Sequence, residues 1–386
     1  MKLEELISEL LMCRRCGLCR DPIDVEHGID GTCPIWRNST GFETDFARGK
    51  IQVALALLQG NLDVAPEMAE SLYRCTLCNS CGVICPAGLE VAKLLEKVRE
   101  FVSSKIYVSE KHAVIAESIE KYGNPYLTPP DKRFEWLGKD LSKMPDEAEI
   151  VYFVGCTTSL RTPEIAKATV KILNSTGTDF TVLKNEWCCG SILLRIGFRN
   201  EAIKAAEKVV KAIESTGAKT VITSCAGCFR VLKYDYPELL GDVGFEVLHT
   251  TQFLDKLLKE GKLELGKLSE HMRATYHDPC HLGRHGMVYE EPRNLIKHIS
   301  NLEFVEMAPN RQFSICCGAG GGLKLLEGAL AVKIASEKIR KISDMKINAL
   351  LSACPFCKYN FVDAVNRQEM DIKIYDVVEL VAKVVK

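Results

Sequence analysis

Two stretches of this chain are versions of one pattern. EIVYFVGC at 149–156 is followed by CCG at 188–190 and CAGC at 225–228; ATYHDPC at 274–280 is followed by CCG at 316–318 and CPFC at 354–357. Equivalent cysteines lie 124 to 129 residues apart, so a unit of that length is present twice. Each copy alternates short apolar runs with helical patterns such as RNEAIKAAEKVVKAIESTG at 199–217. The pattern predicts strands near 150–155, 179–183, 219–224 and 245–248, and again near 273–277, 303–307, 348–353 and 372–376. Continuous apolar strands alternating with helices imply parallel sheets covered on both faces. Ligands of open α/β sheets sit at the carboxyl ends of strands. Cys156, Cys225, Cys280 and Cys354 each follow a strand directly, so the thiols of each half are expected at one sheet edge. Helix N-termini follow, and their N–H groups favour an anionic group there. Glycines at 318 and 320–322 permit close backbone approach. GAGGG at 318–322 resembles part of a dinucleotide loop, but it follows a cysteine pair instead of ending a strand, and it reads as packing around the thiols.

Working outward, the 386 residues suffice for two or three domains. Fifty Lys and Arg face 51 Asp and Glu, a net charge of −1, which argues against a broad field for nucleic acid or anionic membrane. No run approaches eighteen apolar residues, so no membrane span of its own is expected. The opening MKLEELISELLMCRRC is a short amphipathic helix without the plan of a secretory signal. The expectation is a cytoplasmic protein, with any place on the inner membrane face owed to a partner subunit. In a reducing compartment 18 closely spaced cysteines point to metal or redox chemistry.

Eight of them precede residue 86. Cys13, Cys16 and Cys19 form C-x2-C-x2-C, with Cys33 and Pro34 beyond; Cys75, Cys78, Cys81 and Cys85 form C-x2-C-x2-C-x3-C-P. The second run is the spacing of bacterial ferredoxins, in which the cysteine before proline ligates the other cluster. The expected sets are Cys13, Cys16, Cys19 and Cys85 for one cubane four-iron cluster, and Cys33, Cys75, Cys78 and Cys81 for the other. RDPIDVEHGIDGT at 20–32 lengthens the usual three-residue gap and reads as a surface insertion. A zinc reading does not explain two triplets plus two Cys-Pro pairs. FARGKIQVALALLQGNL and APEMAESLYR, between the motifs, carry helical periodicity. The fold class is therefore an α-helical two-cluster ferredoxin domain followed by a duplicated α/β domain with parallel sheets. The expected bounds are 1–102 for the ferredoxin-type domain, 103–149 for a proline-containing linker, 150–262 for the first repeat and 263–386 for the second.

Each repeat offers five cysteines: one, an adjacent pair, then C-x2-C. Zinc and a cubic cluster each take four, and two disulfides would leave a spare thiol. Residue chemistry alone leaves these alternatives open.

The twin C-x31-C-C-G-x34-C-x2-C pattern resembles the cysteine-rich CCG domain. Fused behind paired ferredoxin motifs, it resembles the D subunit of heterodisulfide reductase, and also the iron–sulfur subunits of glycolate, lactate and glycerol-3-phosphate oxidising complexes. The resemblance implies that five cysteines hold each of two non-cubane four-iron clusters: Cys156, Cys188, Cys189, Cys225 and Cys228 for one, and Cys280, Cys316, Cys317, Cys354 and Cys357 for the other. All 18 cysteines are then assigned. It implies an oxidoreductase of methanogenesis that reduces the mixed disulfide of coenzyme M and coenzyme B, each cluster taking one sulfur of the cleaved bond. The other activity it implies is an electron-relay protein for a flavin-dependent 2-hydroxyacid (lactate or glycolate) dehydrogenase. The expected partners are a membrane b-type cytochrome or a flavoprotein, together with a disulfide or thiol small molecule, and no nucleic acid. A metal-stabilised scaffold without redox chemistry is the remaining reading.

An anionic disulfide calls for cations near the motifs, and Arg161, Arg195, Arg199, Arg230, Arg284, Arg311 and Lys358 are candidates against the alternative of solvated surface charge. His277, His281 and His285 surround Cys280. With Arg284 they are expected to hydrogen-bond cluster sulfurs, or to supply a proton to a leaving thiolate.

Overall fold

Apolar residues at three- and four-residue steps place helices at Leu3–Leu11, Ala47–Leu58, Pro66–Tyr73 and Val91–Ser103. In this computed structural model, which describes residues 2–24, 26–106 and 108–386, these helices bury Leu6, Leu10, Ile51, Ala54, Leu72, Leu94, Leu95 and Val98 against one another. The cysteine loops lie between them. The insertion carries a two-residue hairpin, β1 (Ile23–Asp24) with β2 (Ile29–Asp30); Met1, Val25 of the insertion and Tyr107 of the linker lie outside the described residues.

Residues 103–149 do more than connect. They form a helix at Glu110–Tyr122, capped by Ser109 and ended by Gly123 in the left-handed conformation, then short helical turns at Pro130–Phe134 and Gly138–Lys143. Arg133 and Phe134 are buried there.

The eight predicted strands are present in two sheets of four. The first orders β4 (Phe180–Thr181), β3 (Ile150–Tyr152), β5 (Thr220–Thr223) and β6 (Glu246–His249); the second orders β10 (Lys373–Asp376), β9 (Ala349–Ser352), β7 (Lys267–His277) and β8 (Ser300–Phe304). All pairings within both are parallel. Counted within its own repeat, each sheet has the order second, first, third, fourth. The register repeats as well: Ile150 lies opposite Phe180 and Thr220, and Ala274 lies opposite Phe304 and Ala349. Two strands differ from expectation. β7 starts at Lys267, because its first half runs beside β8 through an irregularity between Lys267 and Met272 before joining β9. That pairing also draws β8 back to 300–304 from the apolar run at 303–307.

One apolar core runs through both repeats, whereas the ferredoxin helices share a second core with Leu193, Ile196, Phe198, Ala202 and Ala205 of the first repeat. The insertion grips the second repeat instead. The His27 ring lies 4.5 Å from that of Phe313 and Asp30 pairs with Lys341 at 3.2 Å, and just beyond the insertion Arg37, in the helix Pro34–Asn38, pairs with Glu337 at 2.9 Å. Among the described residues no helix is long and apolar enough to cross a membrane.

Candidate metal centres

In a sheet of this order the chain reverses its direction of travel between the first and third strands, and the crevice above that point is where ligands bind. Here those strands deliver the cysteines. Cys156 opens the helix Cys156–Arg161 after β3, and Cys225 caps the helix Ala226–Arg230 after β5. Cys280 follows β7, and Cys354 caps the helix Pro355–Gln368 after β9. Gly155 and Gly190, at φ +79° and +77°, turn the chain sharply beside Cys156 and Cys189.

The two crevices face each other. A single cavity of about 150 Å³ is lined by Cys156, Cys188, Cys189, Cys225 and Cys228 from one repeat and by Cys280, Cys317, Cys354 and Cys357 from the other. Cys316 is buried behind it, its Sγ 3.9 Å from that of Cys280. Cys225 and Cys354, equivalent positions in the two repeats, both line the cavity and lie near enough to shift each other's titration. Hydrogen bonds from Cys188 and Cys228 pull Cys189 down to about 6, against its burial. Bonds from Cys316 and Cys357 likewise hold Cys317 well below the ordinary thiol range. The remaining walls are largely apolar and include Ile192, Leu325 and Phe356.

The other eight cysteines border two smaller cavities. Cys13, Cys16, Cys19 and Cys85 line an outer one, which Cys81 also reaches; Cys33, Cys75, Cys78 and Cys81 line an inner one. Burial pushes Cys19 up to about 11 and Cys33 to about 12. The inner loop touches the second repeat directly: the Cys78 carbonyl accepts from Arg284, and the Cys78 and Cys316 thiols lie near enough to shift each other's titration. At this seam the glycine run has its use. A side chain on Gly320 would meet the Thr76 carbonyl oxygen at 2.9 Å, and one on Gly321 would press on the Cys75 carbonyl.

His277 rests its Nδ1 2.9 Å from Lys338 Nζ and stands against Cys317; burial pushes this imidazole down to about 4 and Lys338 down to about 8. An ammonium only donates, so Nδ1 accepts and Nε2 carries the proton. His281 lines the cavity, its Nε2 3.4 Å from Arg230. His285 Nε2 reaches the Leu77 carbonyl at 3.0 Å. Arg284 donates from Nε to the Cys78 carbonyl at 2.6 Å and from Nη1 to those of Gln312 and Ser314.

The seven candidate cations do not gather around one pocket. Arg195 is held by Glu96 and Asp235, Arg230 by Glu96, Arg199 by Glu100, Arg311 by Glu290, and Lys358 by Glu164 and Glu379. Of the seven, Arg195 alone lines the cavity. Arg161 is exposed and without an ion pair among the described residues. Its guanidinium stacks 4.6 Å from the ring of Tyr126, which itself lines the cavity.

Several working residues carry no signal in a linear reading. Arg133, in the connecting segment, donates to Glu186 at 2.7 Å and reaches Cys156 Sγ at 3.4 Å; Glu186 also accepts from Val154 N and Gly155 N. The position of Glu186, two residues before the CCG triplet, is the one hint the sequence offered. Arg99 is fully buried and donates to the carbonyls of Leu72, Cys75, Arg195 and Gly321, which ties the ferredoxin helices to both repeats.

Iron–sulfur clusters fit these sites. The donors are thiols gathered around three cavities, and buried cations such as Lys50, Arg133 and Lys338 beside them favour the thiolate form that binds metal. His277 Nε2 and Arg284 Nη2 are buried donors without a well-placed acceptor, both beside thiols, as a sulfur-rich anion would require.

The comparisons with known proteins agree. A 4Fe-4S dicluster domain matches residues 9–89, and a cysteine-rich domain, CCG, matches 150–233 and 274–362. The D subunit of dihydromethanophenazine:CoB–CoM heterodisulfide reductase from Methanosarcina acetivorans is 41% identical over 323 residues, covering 82% of this chain and 78% of that protein. The Methanosarcina barkeri protein of the same name is 37% identical over 397 residues, covering 98% and 94%. The B subunit of fumarate reductase (CoM/CoB) from Methanothermobacter marburgensis is 31% identical, covering 90% and 69%. A hypothetical protein from Helicobacter pylori superposes with a TM-score of 0.55 at 11% identity over 94% of this chain and 78% of its own, a likeness of fold alone. With its dicluster motif, its duplicated cysteine-rich repeat and near full-length relatives, this chain belongs to the family of heterodisulfide reductase D subunits, which are iron–sulfur components of oxidoreductases.

Proposed function

We propose that the chain is the catalytic subunit of a disulfide reductase of the coenzyme M–coenzyme B heterodisulfide type. The carrying observation is the single cavity that both repeats line, with the equivalent cysteines Cys225 and Cys354 both in its wall. Two cubane four-iron clusters, at Cys13, Cys16, Cys19 and Cys85 and at Cys33, Cys75, Cys78 and Cys81, and two non-cubane clusters held by the five cysteines of each repeat, would supply the one-electron steps. The overall change adds two electrons and two protons to one disulfide and yields two thiols. A site bordered by two copies of one motif suits a substrate that is cleaved into two like ends.

The protein's own groups have distinct tasks in this reading. Ile192, Leu325 and Phe356 keep water from the sulfurs. His277, neutral and oriented by Lys338, presents Nε2–H towards Cys317 and can hydrogen-bond that ligand's sulfur. Arg161, on the Tyr126 ring at the rim, offers its planar fork to an anionic tail of the substrate. Electrons come from a protein partner, a membrane b-type cytochrome or a flavoprotein, which would hold the chain at the membrane face. The relay reading in 2-hydroxyacid oxidation draws no support from the relatives described above.

Iron and sulfide analysis with EPR of the oxidised protein, with and without a thiol substrate, is the test. Four four-iron clusters require about sixteen irons, and a paramagnetic signal that appears only with thiol is expected. About eight irons, with the repeats empty or holding zinc, would refute the proposal.

A further inference from the structure

The two ferredoxin-region cavities differ in what surrounds them. The outer one reaches solvent at Cys16. Its neighbouring cation, Arg48, is clamped by both carboxylate oxygens of Glu43, at 2.5 and 2.9 Å. Arg14 and Arg15 beside it are exposed, so water and salt screen their charge.

The inner cavity has one buried cation in its wall and two more on the backbone of its cysteine loop. Lys50 is 1% exposed and lines it, with Nζ donating to the Thr44 and Ser71 carbonyls at 2.6 Å each. Arg99 donates to the Cys75 carbonyl at 2.9 Å, and Arg284 to that of Cys78 at 2.6 Å. All the hydrogen bonds of these three run to backbone carbonyls, and none of the three has an ion pair among the described residues. The nearby acids are engaged elsewhere: Asp45 by Ser39, Thr40 and Arg74, and Glu96 by Arg195 and Arg230. Three buried positive charges without counter-ions are costly unless an anion sits among them.

We propose that Lys50, Arg99 and Arg284 give the inner ferredoxin-type site a higher reduction potential than the outer one, so that it holds an electron in reserve beside the paired repeats. This rests on the reading of two cubane sites given above. Reduction adds one negative charge to a thiolate-bound cluster, and its potential follows net charge, hydrogen bonding and exposure. At an effective dielectric of ~20, a fixed cation within about 12 Å favours the reduced form at least about tenfold. Burial works the other way, since it disfavours the more highly charged form. Here one desolvation opposes three cations whose own burial strengthens each of them. The transfer balances simply: one electron leaves the outer site, the inner site gains it, and no bond or proton moves. A disulfide needs two electrons, so a stored one shortens the lifetime of the half-reduced sulfur.

The test is an EPR-monitored redox titration of the intact, iron-loaded chain. Cys16→Ser changes the line shape of one reduced cubane signal and marks it as the outer one. In the unaltered protein the other signal should appear at the higher potential. Lys50→Met should lower that midpoint by at least about 59 mV, a tenfold shift for one electron, and leave the outer one in place, while Lys50→Arg restores it. Arg284→Gln should act likewise, with Arg284→Lys as the charge-preserving control should the Lys50 variants fail to fold. Equal or reversed midpoints in the unaltered protein, or charge-removing variants that leave the inner midpoint in place, would overturn the proposal. Failure of the underlying cubane reading is distinguishable, because iron and sulfide would then fall short of two clusters in this region before any titration.

Discussion

Placing a methyl group on Gly321 separates two costs that glycine substitutions usually mix. Gly321 has φ +62°, and an added Cβ would press on the Cys75 carbonyl oxygen and come within 2.7 Å of the Thr76 carbonyl carbon and 2.9 Å of its Cα. Those atoms are backbone of the inner cysteine loop and cannot swing aside. The left-handed conformation costs alanine about 1 kcal/mol, and forcing the seam apart about 1–3 kcal/mol more. Gly177 is the matched control: its φ is also +62°, with nothing within 4 Å of its added Cβ, so Gly177→Ala carries the first cost alone. At roughly 2 °C per kcal/mol for a chain of this size, Gly321→Ala should melt about 2–6 °C below Gly177→Ala. Anaerobic calorimetry at a fixed scan rate reads this directly. Gly321→Ala should also lose iron to a chelator faster than the control. Equal melting points for the two variants would refute the argument that the glycine run is a contact surface.

Three further outcomes follow from buried or rim groups. Glu186→Ala should destabilise the protein by about 3–5 kcal/mol, because it strands Arg133 as a buried unpaired charge; denaturant unfolding should show a loss of the same order for Glu186→Gln, which is equally uncharged and whose one amide oxygen serves only one of Val154 N and Gly155 N. His112 is pushed by burial from 6.5 to about 4, so between those values the folded state binds fewer protons than the unfolded one. Its contribution is therefore complete above about pH 6.5 and is lost as pH falls towards 4, at about 1.4 kcal/mol per pH unit. His112→Phe, packed between Tyr73 and Phe198, should flatten that part of the stability profile by one proton's worth. Arg161→Gln should raise KM for an anionic disulfide several-fold, equivalent to about 1 kcal/mol, and leave the melting point within about 1 °C, since the side chain is exposed.

The architecture was legible where sequence spacing reflects geometry. Strand ends, glycine turns and paired cysteines are local features, and duplication printed them twice, so the eight strands and the gathering of each half's thiols at one sheet edge could be read from apolar runs and offsets. What the sequence hid depends on contacts between distant segments. Arg99 meets Gly321 and Arg133 meets Glu186 only after the domains have packed. The seven candidate cations misled for the same reason: a linear reading shows the charges but not the acids that Arg195, Arg230 or Lys358 find in space. The β7–β8 shift has a similar origin, because Lys267–Met272 is too polar to read as a strand and is extended by its neighbour.

The seam between Gly320–Gly321 and Cys75–Thr76 has no twin in the first repeat, where CCGSILLR stands in place of CCGAGGGL and forms a helix at Ser191–Ile196. In an assembly of two identical chains, any change that shaped one copy for the incoming loop would be forced on the other as well. Covalent fusion released the copies from that bond. One became a socket and the other kept a side-chain-bearing helix, so the wiring of this protein is one-handed although its walls are symmetric. A graft of GAGGG into the first repeat would ask how much of that division of labour resides in five residues.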